Sequence, residues 1–165
     1  MPPWSSLQRQ VYGLIDPGIR FQVHCGVYRI ASERGSTDLP RYWITLGRDV
    51  IWDYPAQFVG LPSHPNRVPI QHYPYDSDVS SISALLRAYI DTPRNSVLTA
   101  HFEDDHWGLI NILRAADRRI GSRHWAALRR RIHNPAALRV LQAREQLHRR
   151  VTSNPSPPPP HAGSA

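Results

Sequence analysis

The first apolar residues of the chain recur at the spacing of one helix face. They follow one another at i, i+4, i+7 and i+8, and are Leu7, Val11, Leu14 and Ile15. Ser5 and Gln8, three residues apart, have the form of a capping box, which predicts a helix that begins there. Asp16-Pro17-Gly18 predicts its end, because proline and glycine interrupt helices.

Apolar and polar positions alternate in the next segment, which is typical of a strand with one buried face. The apolar positions of this segment are Ile19, Phe21, Val23, Cys25 and Val27. Tyr28 and Ile30 fall on the opposite parity, so we expect a bulge near Gly26.

Two further strands are predicted after a polar loop that runs from Ser32 to Pro40. Residues 42–46 form the second strand, and residues 50–52 form the return strand. Gly47-Arg48 between them fits a two-residue hairpin turn with glycine at its first central position. The three strands make an antiparallel meander, one face of which needs a helical cover.

Residues 55–74 are rich in proline and have no clear period, so we interpret them as a long surface loop with one short strand near 68–70.

Helical spacing returns afterwards. Asp78 is expected to cap a helix whose apolar face is Val79, Ile82, Leu85, Leu86, Tyr89 and Ile90. Thr92-Pro93 then predicts a short helix, with proline at its first position.

Three more helices are expected in the second half. Asp104 or Asp105 caps the first, whose apolar side is Leu109, Ile112, Leu113, Ala116 and Ile120. Gly121 ends that helix, and Ser122 caps the next one, which carries Trp125, Leu128 and Ile132. Asn134-Pro135 opens the last, which should run to about Arg150.

The pattern therefore predicts an α+β fold: an N-terminal helix and a three-stranded antiparallel meander packed against a C-terminal helical half. We expect residues 1–151 to form a single domain. Residues 152–165 include four consecutive prolines and no substantial apolar content, so they are interpreted as a disordered, proline-rich tail.

Composition narrows the class of protein. One cysteine, Cys25, excludes an internal disulfide and multi-cysteine zinc patterns. Its place in the alternating run favours a small buried hydrophobe over a nucleophile.

No window approaches the roughly 18 consecutive apolar residues of a membrane span, and the N-terminus lacks the features of a secretory signal. A cytoplasmic location is therefore expected.

Charge is distributed unevenly along the chain. Eleven of the twenty arginines lie between Arg114 and Arg150, where only Asp117 and Glu145 oppose them. The preceding residues carry nine arginines against eleven carboxylates. A nearly neutral body is thus followed by a strongly basic helical end, and each cation is a planar guanidinium suited to phosphate or carboxylate.

Several segments resemble a family of small, functionally unassigned bacterial proteins that begin with Met-Pro-Trp-Ser-x-Leu. Residues 1–7 have this motif with one extra proline, and Tyr28-Arg29 and residues 41–44 are also similar. Residues 113–121 resemble the family's Leu-Asp-Arg-Arg-x-Gly segment, although Gly121-Ser122-Arg123 stands where members usually have Gly-Lys-Arg. The resemblance covers roughly residues 1–150 and implies one intact domain in a cytoplasmic bacterial protein, with no assigned activity.

The basic helices are the first candidate for function. Two helices separated by a one-residue break have the outline of a helix-turn-helix unit, which binds nucleic acid. The candidate nucleic-acid-binding residues are Arg118, Arg119, Arg123, Arg129, Arg130 and Arg131. Arginine is also an ordinary helix former, and Arg114 or Arg118 could simply pair with Asp117. For Asp117 we prefer a buried structural clasp that bridges to another element.

Two other sets of residues are weaker candidates. Residues 101–106 hold potential metal ligands, but His101 and His106 lie five apart, which fits no zinc signature. The sequence does not show whether a distant histidine (His24, His64 or His72) joins them in the fold. Acidic residues are also ordinary at a helix N-terminus. The aromatic side chains of residues 42–54, interleaved with Arg41 and Arg48, could stack bases, but they more often form cross-strand pairs.

From these patterns we predict a non-enzymatic binding or adaptor protein with a basic C-terminal helical face. The alternative is a nucleic-acid-binding protein that uses the helix-turn-helix-like basic region. No catalytic residues, metal site or cofactor are predicted, because no nucleophile–base pair or ligand set can be assembled from local spacing. The partner is unknown from the sequence; nucleic acid and an acidic protein are the candidates, and no membrane is expected.

Overall fold

A computed structural model describes residues 4–32, 35–54, 80–103, 105 and 108–153. The fold is α+β, as the sequence predicts, with an N-terminal helix, an open antiparallel sheet and a C-terminal helical half. The helices are α1 (Trp4–Leu14), α2 (Ser80–Asp91), α3 (Leu109–Ala116), α4 (Trp125–Arg131) and α5 (Pro135–Ser153). The strands are β1 (Phe21–Ser32), β2 (Gly35–Leu46) and β3 (Asp49–Tyr54).

The sheet is a meander of order β1-β2-β3. Pairing of β1 with β2 is continuous from Phe21 with Leu46 to Ser32 with Gly35, so the expected bulge near Gly26 is wrong. The expected loop at residues 32–40 is also wrong, because residues 35–40 belong to β2. Strand pairing uses backbone hydrogen bonds, which a polar sequence makes as well as an apolar one.

The irregularity of the sheet lies in the second hairpin instead. Ile44 pairs with Trp52, whereas the next residue, Thr45, pairs with Val50, so Ile51 is the extra residue of β3. The turn between β2 and β3 is confirmed at Gly47-Arg48, and Gly47 has a φ of 65°. That left-handed conformation is the reason for glycine at the first position of this tight turn.

One face of the sheet packs into the core. Ile19, Phe21 and Val23 are buried together, as the alternation predicts, and Cys25 is half-buried on the same face. The open edge of β1 is covered by α1, since Gln8 Nε2 donates to the Val23 carbonyl at 2.6 Å and the Tyr12 hydroxyl contacts the same residue. An edge strand covered in this way cannot pair with another chain there.

The N-terminal helix differs from its prediction only at its start. Leu7 and Val11 are buried on its inner side, and Leu14 packs against the core. Trp4 is already helical, so Ser5 is not the N-cap and the predicted capping box is wrong. Asp16 ends the segment as expected, because its carboxylate accepts a hydrogen bond from the Gly18 amide at 3.0 Å.

The helical half follows the predicted apolar spacing, with several corrected boundaries. Four of the predicted α2 positions are buried, namely Ile82, Leu85, Leu86 and Tyr89. Residues 92–100 form successive turns rather than the expected short helix. The α4 helix begins through a 3-10 turn at Ser122–His124 that has no side-chain cap, so Ser122 does not cap it as predicted.

The α5 helix begins as predicted and ends slightly later. Pro135 is its first residue, and Asn134 Oδ1 accepts a hydrogen bond from the Ala136 amide at 2.9 Å. Its last two residues, Thr152 and Ser153, belong to the predicted tail. The rest of that tail, the predicted loop at 55–74, Asp78 and Val79 lie outside the described residues.

The centre of the core lies where α3 packs against α5. Six of the eight residues of α3 are buried, so this helix is enclosed on nearly all sides. The facing side of α5 presents Ala136, Ala137, Val140 and Leu141, all of them buried. Within the described part of the chain, no helix is long and apolar enough to cross a membrane.

Replacement of Phe21 by alanine should lower the free energy of unfolding by ~3–5 kcal/mol, because it empties a buried aromatic site beneath the helices. Urea denaturation followed by circular dichroism measures the change. The matched control is Gln22→Ala, one residue along the same strand but exposed, which should change the value by less than about 0.5 kcal/mol. Equal losses in the two variants would contradict the assignment of the buried face.

Candidate functional site

The connection between α3 and α4 differs from the predicted helix-turn-helix outline. The α3 helix ends at Ala116 rather than near Ile120, and α4 begins at Trp125, so eight residues separate the helices instead of one. The backbone turns away from the helix because it pairs with the end of α1. The Asp16 amide donates to the Ala116 carbonyl, and the Arg118 amide donates to the Leu14 carbonyl, each at 2.8 Å.

Asp117 is a buried clasp, as the sequence analysis preferred. Its side chain is fully buried and accepts hydrogen bonds from the Tyr89 hydroxyl and the Arg119 amide, each at 2.8 Å. Its ionic partner is Arg119, and not Arg114 or Arg118 as the alternative assumed. The carboxylate therefore joins the end of α3 to α2 through a charge-assisted network.

Arg119 is fixed from several directions. Its Nε donates to Asp117 Oδ2 at 2.9 Å, and its Nη1 donates to the Thr92 carbonyl at 2.7 Å. Nη2 also lies 2.8 Å from Oδ2 but outside hydrogen-bond direction, so it contributes as a charge. The guanidinium carbon lies 5.4 Å from the centre of the Tyr89 ring. Such an arginine is part of the fold and is poorly placed to bind a macromolecule.

Burial raises the pKa of Tyr89 well above its ordinary value, and the negative charge of Asp117 raises it further. The positive charge of Arg119 acts in the opposite direction without reversing the shift. The phenol therefore keeps its proton and donates it to the carboxylate.

A second buried arginine, Arg144 of α5, was not identified from the sequence. Only 3% of its surface is exposed. Its Nε donates to Asp16 Oδ2 at 3.0 Å, and its Nη atoms donate to the carbonyls of Ala115 and Ile120. The apolar stripe of α5 contained the signal, because residue 144 follows Val140 and Leu141 at the spacing of the same buried face.

Arg114 holds the turns that follow α2. Its Nε donates to the Val97 carbonyl at 2.9 Å, and its Nη2 donates to the Ala100 carbonyl. Burial lowers the pKa of its guanidinium from the ordinary value, although the group remains a cation under all physiological conditions. Arg131 contacts the same turns, since its Nη1 donates to the Leu98 carbonyl at 3.2 Å.

The six candidate nucleic-acid-binding arginines thus have different environments. Arg119 belongs to the buried clasp, and Arg131 is exposed but contacts the turn at Leu98. Arg129 forms an exposed ion pair with Glu145 at 2.6 Å. The remaining three are exposed and outside any ion pair within the described residues; they are Arg118, Arg123 and Arg130.

A basic surface arises where α4 and α5 lie side by side. The Trp125 and His148 rings are 5.5 Å apart, and Arg129 meets Glu145, so the two helices run antiparallel. Glu145 is the one carboxylate in residues 125–153, against seven arginines. The two helices carry six exposed arginines, of which Arg139 pairs with Asp49 of β3 at 2.7 Å. We define the α4–α5 surface by the other five, which are Arg129, Arg130, Arg131, Arg149 and Arg150.

The acidic run before α3 caps a helix. Asp105 accepts hydrogen bonds from the amides of Leu109 and Ile110 at 2.8 and 3.1 Å, which satisfies the first donors of α3. His101 is exposed, whereas Asp104 and His106 lie outside the described residues. Among the residues that the structure describes, no group of three or more potential ligands could hold a metal ion.

The aromatic side chains of the sheet divide between its two faces. Tyr42 and Tyr54 are buried under the helices, and the Tyr42 hydroxyl is 3.0 Å from the Ser83 hydroxyl of α2. Trp43, on the other face, stacks on His24 at 4.9 Å and lies beneath Arg41. Trp43 and His24 are paired residues of neighbouring strands, so their stack is a cross-strand pair of the kind that the structural interpretation expected. Of the three distant histidines considered for the metal site, His24 is thus stacked within the sheet, and His64 and His72 lie outside the described residues.

The profile of the SF0329 protein family matches residues 3–144. The chain belongs to the SF0329 protein family. The match includes α1, the sheet, the buried clasp, α4 and the first part of α5, including Arg144. No curated protein matches the chain. No solved structure matches it either. Family membership supplies no activity, so the function must be argued from the geometry.

Replacement of Asp117 by alanine should lower the free energy of unfolding by ~3–5 kcal/mol, because Arg119 then keeps a buried charge without its partner. The control is Glu145→Ala, which removes the carboxylate of the exposed pair with Arg129 and should cost at most about 1 kcal/mol. Chemical denaturation of both variants measures the difference. If Asp117→Ala lowers the free energy of unfolding by no more than the control does, the clasp does not hold the fold together.

Tyr89 should make the protein sensitive to alkali. The folded state binds the phenol proton more tightly than the unfolded state does, so the free energy of unfolding should fall as pH rises above about 10. Tyr89→Phe has no such proton and should show a shallower fall between about pH 8 and about pH 11. Denaturation of both proteins across this range tests the prediction, and parallel curves would contradict it.

Proposed function

We propose that this is a non-enzymatic binding protein of the bacterial cytoplasm that recognises an acidic protein partner through the α4–α5 surface. The observation that carries the proposal is the antiparallel contact of α4 with α5, so that two helices packed side by side carry the exposed arginines. With one carboxylate among them, their positive potential is largely uncompensated. A basic surface of this kind steers and orients an acidic partner.

The rigidity of the two helices supports this proposal. Trp125 and Leu128 anchor α4 in the core, while Val140 and Leu141 anchor α5. The arginines therefore project from a fixed frame, and binding requires no ordering of the backbone. A preordered surface loses less conformational entropy when it binds than a flexible one.

Nucleic acid is the second candidate partner, and the excess of exposed guanidinium groups favours it. Binding would occur through phosphate contacts alone. The α4 helix has only seven residues, and its first residue, Trp125, is buried against the core. A recognition helix normally presents its N-terminal residues to base edges in the major groove. These features favour the acidic protein partner over sequence-specific recognition of DNA.

The test uses the variant R130Q/R149Q/R150Q, which removes three exposed arginines of the α4–α5 surface. Binding of a fluorescent polyglutamate peptide is measured by anisotropy between about 50 and about 200 mM salt. We expect the wild-type protein to bind it, and the variant to bind it about tenfold more weakly with a flatter salt dependence. The matched control is R9Q/R87Q/R118Q, which removes the same charge from α1, α2 and the connection that follows α3.

Equal weakening in the two triple variants would show that net charge alone governs binding, and would overturn the proposed surface. A labelled DNA duplex and a single-stranded RNA of about 20 nucleotides are titrated in parallel. If either nucleic acid binds more tightly than polyglutamate and R130Q/R149Q/R150Q abolishes that binding, nucleic acid replaces the acidic protein as the proposed partner.

A further inference from the structure

A cleft lies between the turns that follow α2 and the connection that leads into α4. Its volume is about 540 Å³, within the range of pockets that hold small molecules. Residues 94–99 form one wall, and the segment from Arg119 to His124 forms the other. Both walls belong to segments held by guanidinium groups, those of Arg114 and Arg131 on one side and that of Arg144 on the other.

The walls of the cleft are positioned by contacts already described. Arg114 binds the carbonyls of Val97 and Ala100, and Arg131 binds the carbonyl of Leu98. On the opposite side, Arg144 and the Trp125 indole both donate to the Ile120 carbonyl. The cleft is therefore formed before any ligand enters, which lowers the entropic cost of binding.

The chemistry of the lining is cationic. Arg94, Arg119 and Arg123 contribute guanidinium groups, and no carboxylate is among the described residues that line the cleft. Arg119 is already paired with Asp117, so the charges of the lining without an ion-pair partner among the described residues are those of Arg94 and Arg123. Arg123 uses only its Nε within the described chain, donating to His124 Nε2 at 3.0 Å. Its Nη groups remain available for an oxyanion.

The rest of the lining is suited to the body of an organic molecule. Leu98, which is half-buried, supplies accessible apolar surface, and the buried Val97 and Ile120 complete the apolar lining. Asn95 and Thr99 supply neutral hydrogen-bonding groups. A cationic end beside an apolar wall fits a ligand with an anionic group and an apolar or aromatic body. Two guanidinium groups without carboxylate partners match a dianion better than a monoanion.

We propose that this cleft binds a small phosphate monoester, with the phosphate held by Arg94 and Arg123 and the apolar body of the ester against Leu98. The site is separate from the α4–α5 surface, since none of the five arginines of that surface lines the cleft. Binding here does not depend on the proposed macromolecular partner.

Isothermal titration calorimetry with phenyl phosphate tests the proposal. We expect the wild-type protein to bind phenyl phosphate more tightly than inorganic phosphate, which lacks the apolar body, or phenylacetate, which carries a single charge. Phenol should not bind measurably.

R94Q/R123Q changes two exposed side chains and should weaken the binding of phenyl phosphate by about tenfold or more. The control R118Q/R130Q removes the same charge outside the cleft and should change it less than about twofold.

Three results would overturn the proposal. They are the absence of phenyl phosphate binding to the wild-type protein at millimolar concentration, equal weakening in the two double variants, and inorganic phosphate binding as tightly as phenyl phosphate. The two functional proposals fail separately, because R130Q/R149Q/R150Q should leave phenyl phosphate binding intact. A 5′-phosphorylated oligonucleotide distinguishes the sources of the phosphate. If it binds more tightly than phenyl phosphate and R94Q/R123Q abolishes that binding, the cleft is a site for nucleic acid ends instead.

Discussion

The buried carboxylate of Asp117 requires a compensating cation and hydrogen-bond donors, and the surrounding structure is arranged to supply them. Tyr89 donates from α2, Arg119 supplies the charge, and the backbone on either side of Asp117 pairs with the end of α1. Arg144 adds a second ion pair, with Asp16, at the same junction. Because a buried charge without a partner costs several kcal/mol, these groups must be brought together for the chain to fold. The core of α3 and α5 is closed at this point by polar contacts.

This junction divides the arginines of the basic half into two groups. Arg114, Arg119 and Arg144 are used inside the protein, where they bind carbonyls and carboxylates and fix loops that have little apolar content. The exposed arginines remain outside and are carried by helices with buried anchors. The exposed positive charge of the basic half is therefore smaller than its sequence indicates.

The two proposed binding regions depend on the same internal contacts. The connection between α3 and α4 is held by Asp117 and Arg144, and it forms one wall of the cleft before it leads into α4. The turns on the opposite wall are held by Arg114 and Arg131. Irregular backbone is thus made rigid by guanidinium groups that satisfy its carbonyls, which would otherwise be buried without donors.

The sequence by itself determined the fold class and most of the elements, because apolar periodicity reports which faces are buried whatever they pack against. The face of β1 through Phe21 and Val23, the turn at Gly47 and the start of α5 at Pro135 all follow from local spacing and local backbone preference. The buried role of Asp117 was also predictable, but its partner was not. Tertiary structure decided that Arg119 rather than Arg114 or Arg118 would pair with it, that α3 would end at Ala116, and that Arg144 would lie in the core. These outcomes depend on groups far apart in the sequence, since Ile15 pairs with the backbone at Asp117 and Asp16 binds Arg144. No local pattern contains such pairings, so only the folded chain could show which arginines remain outside.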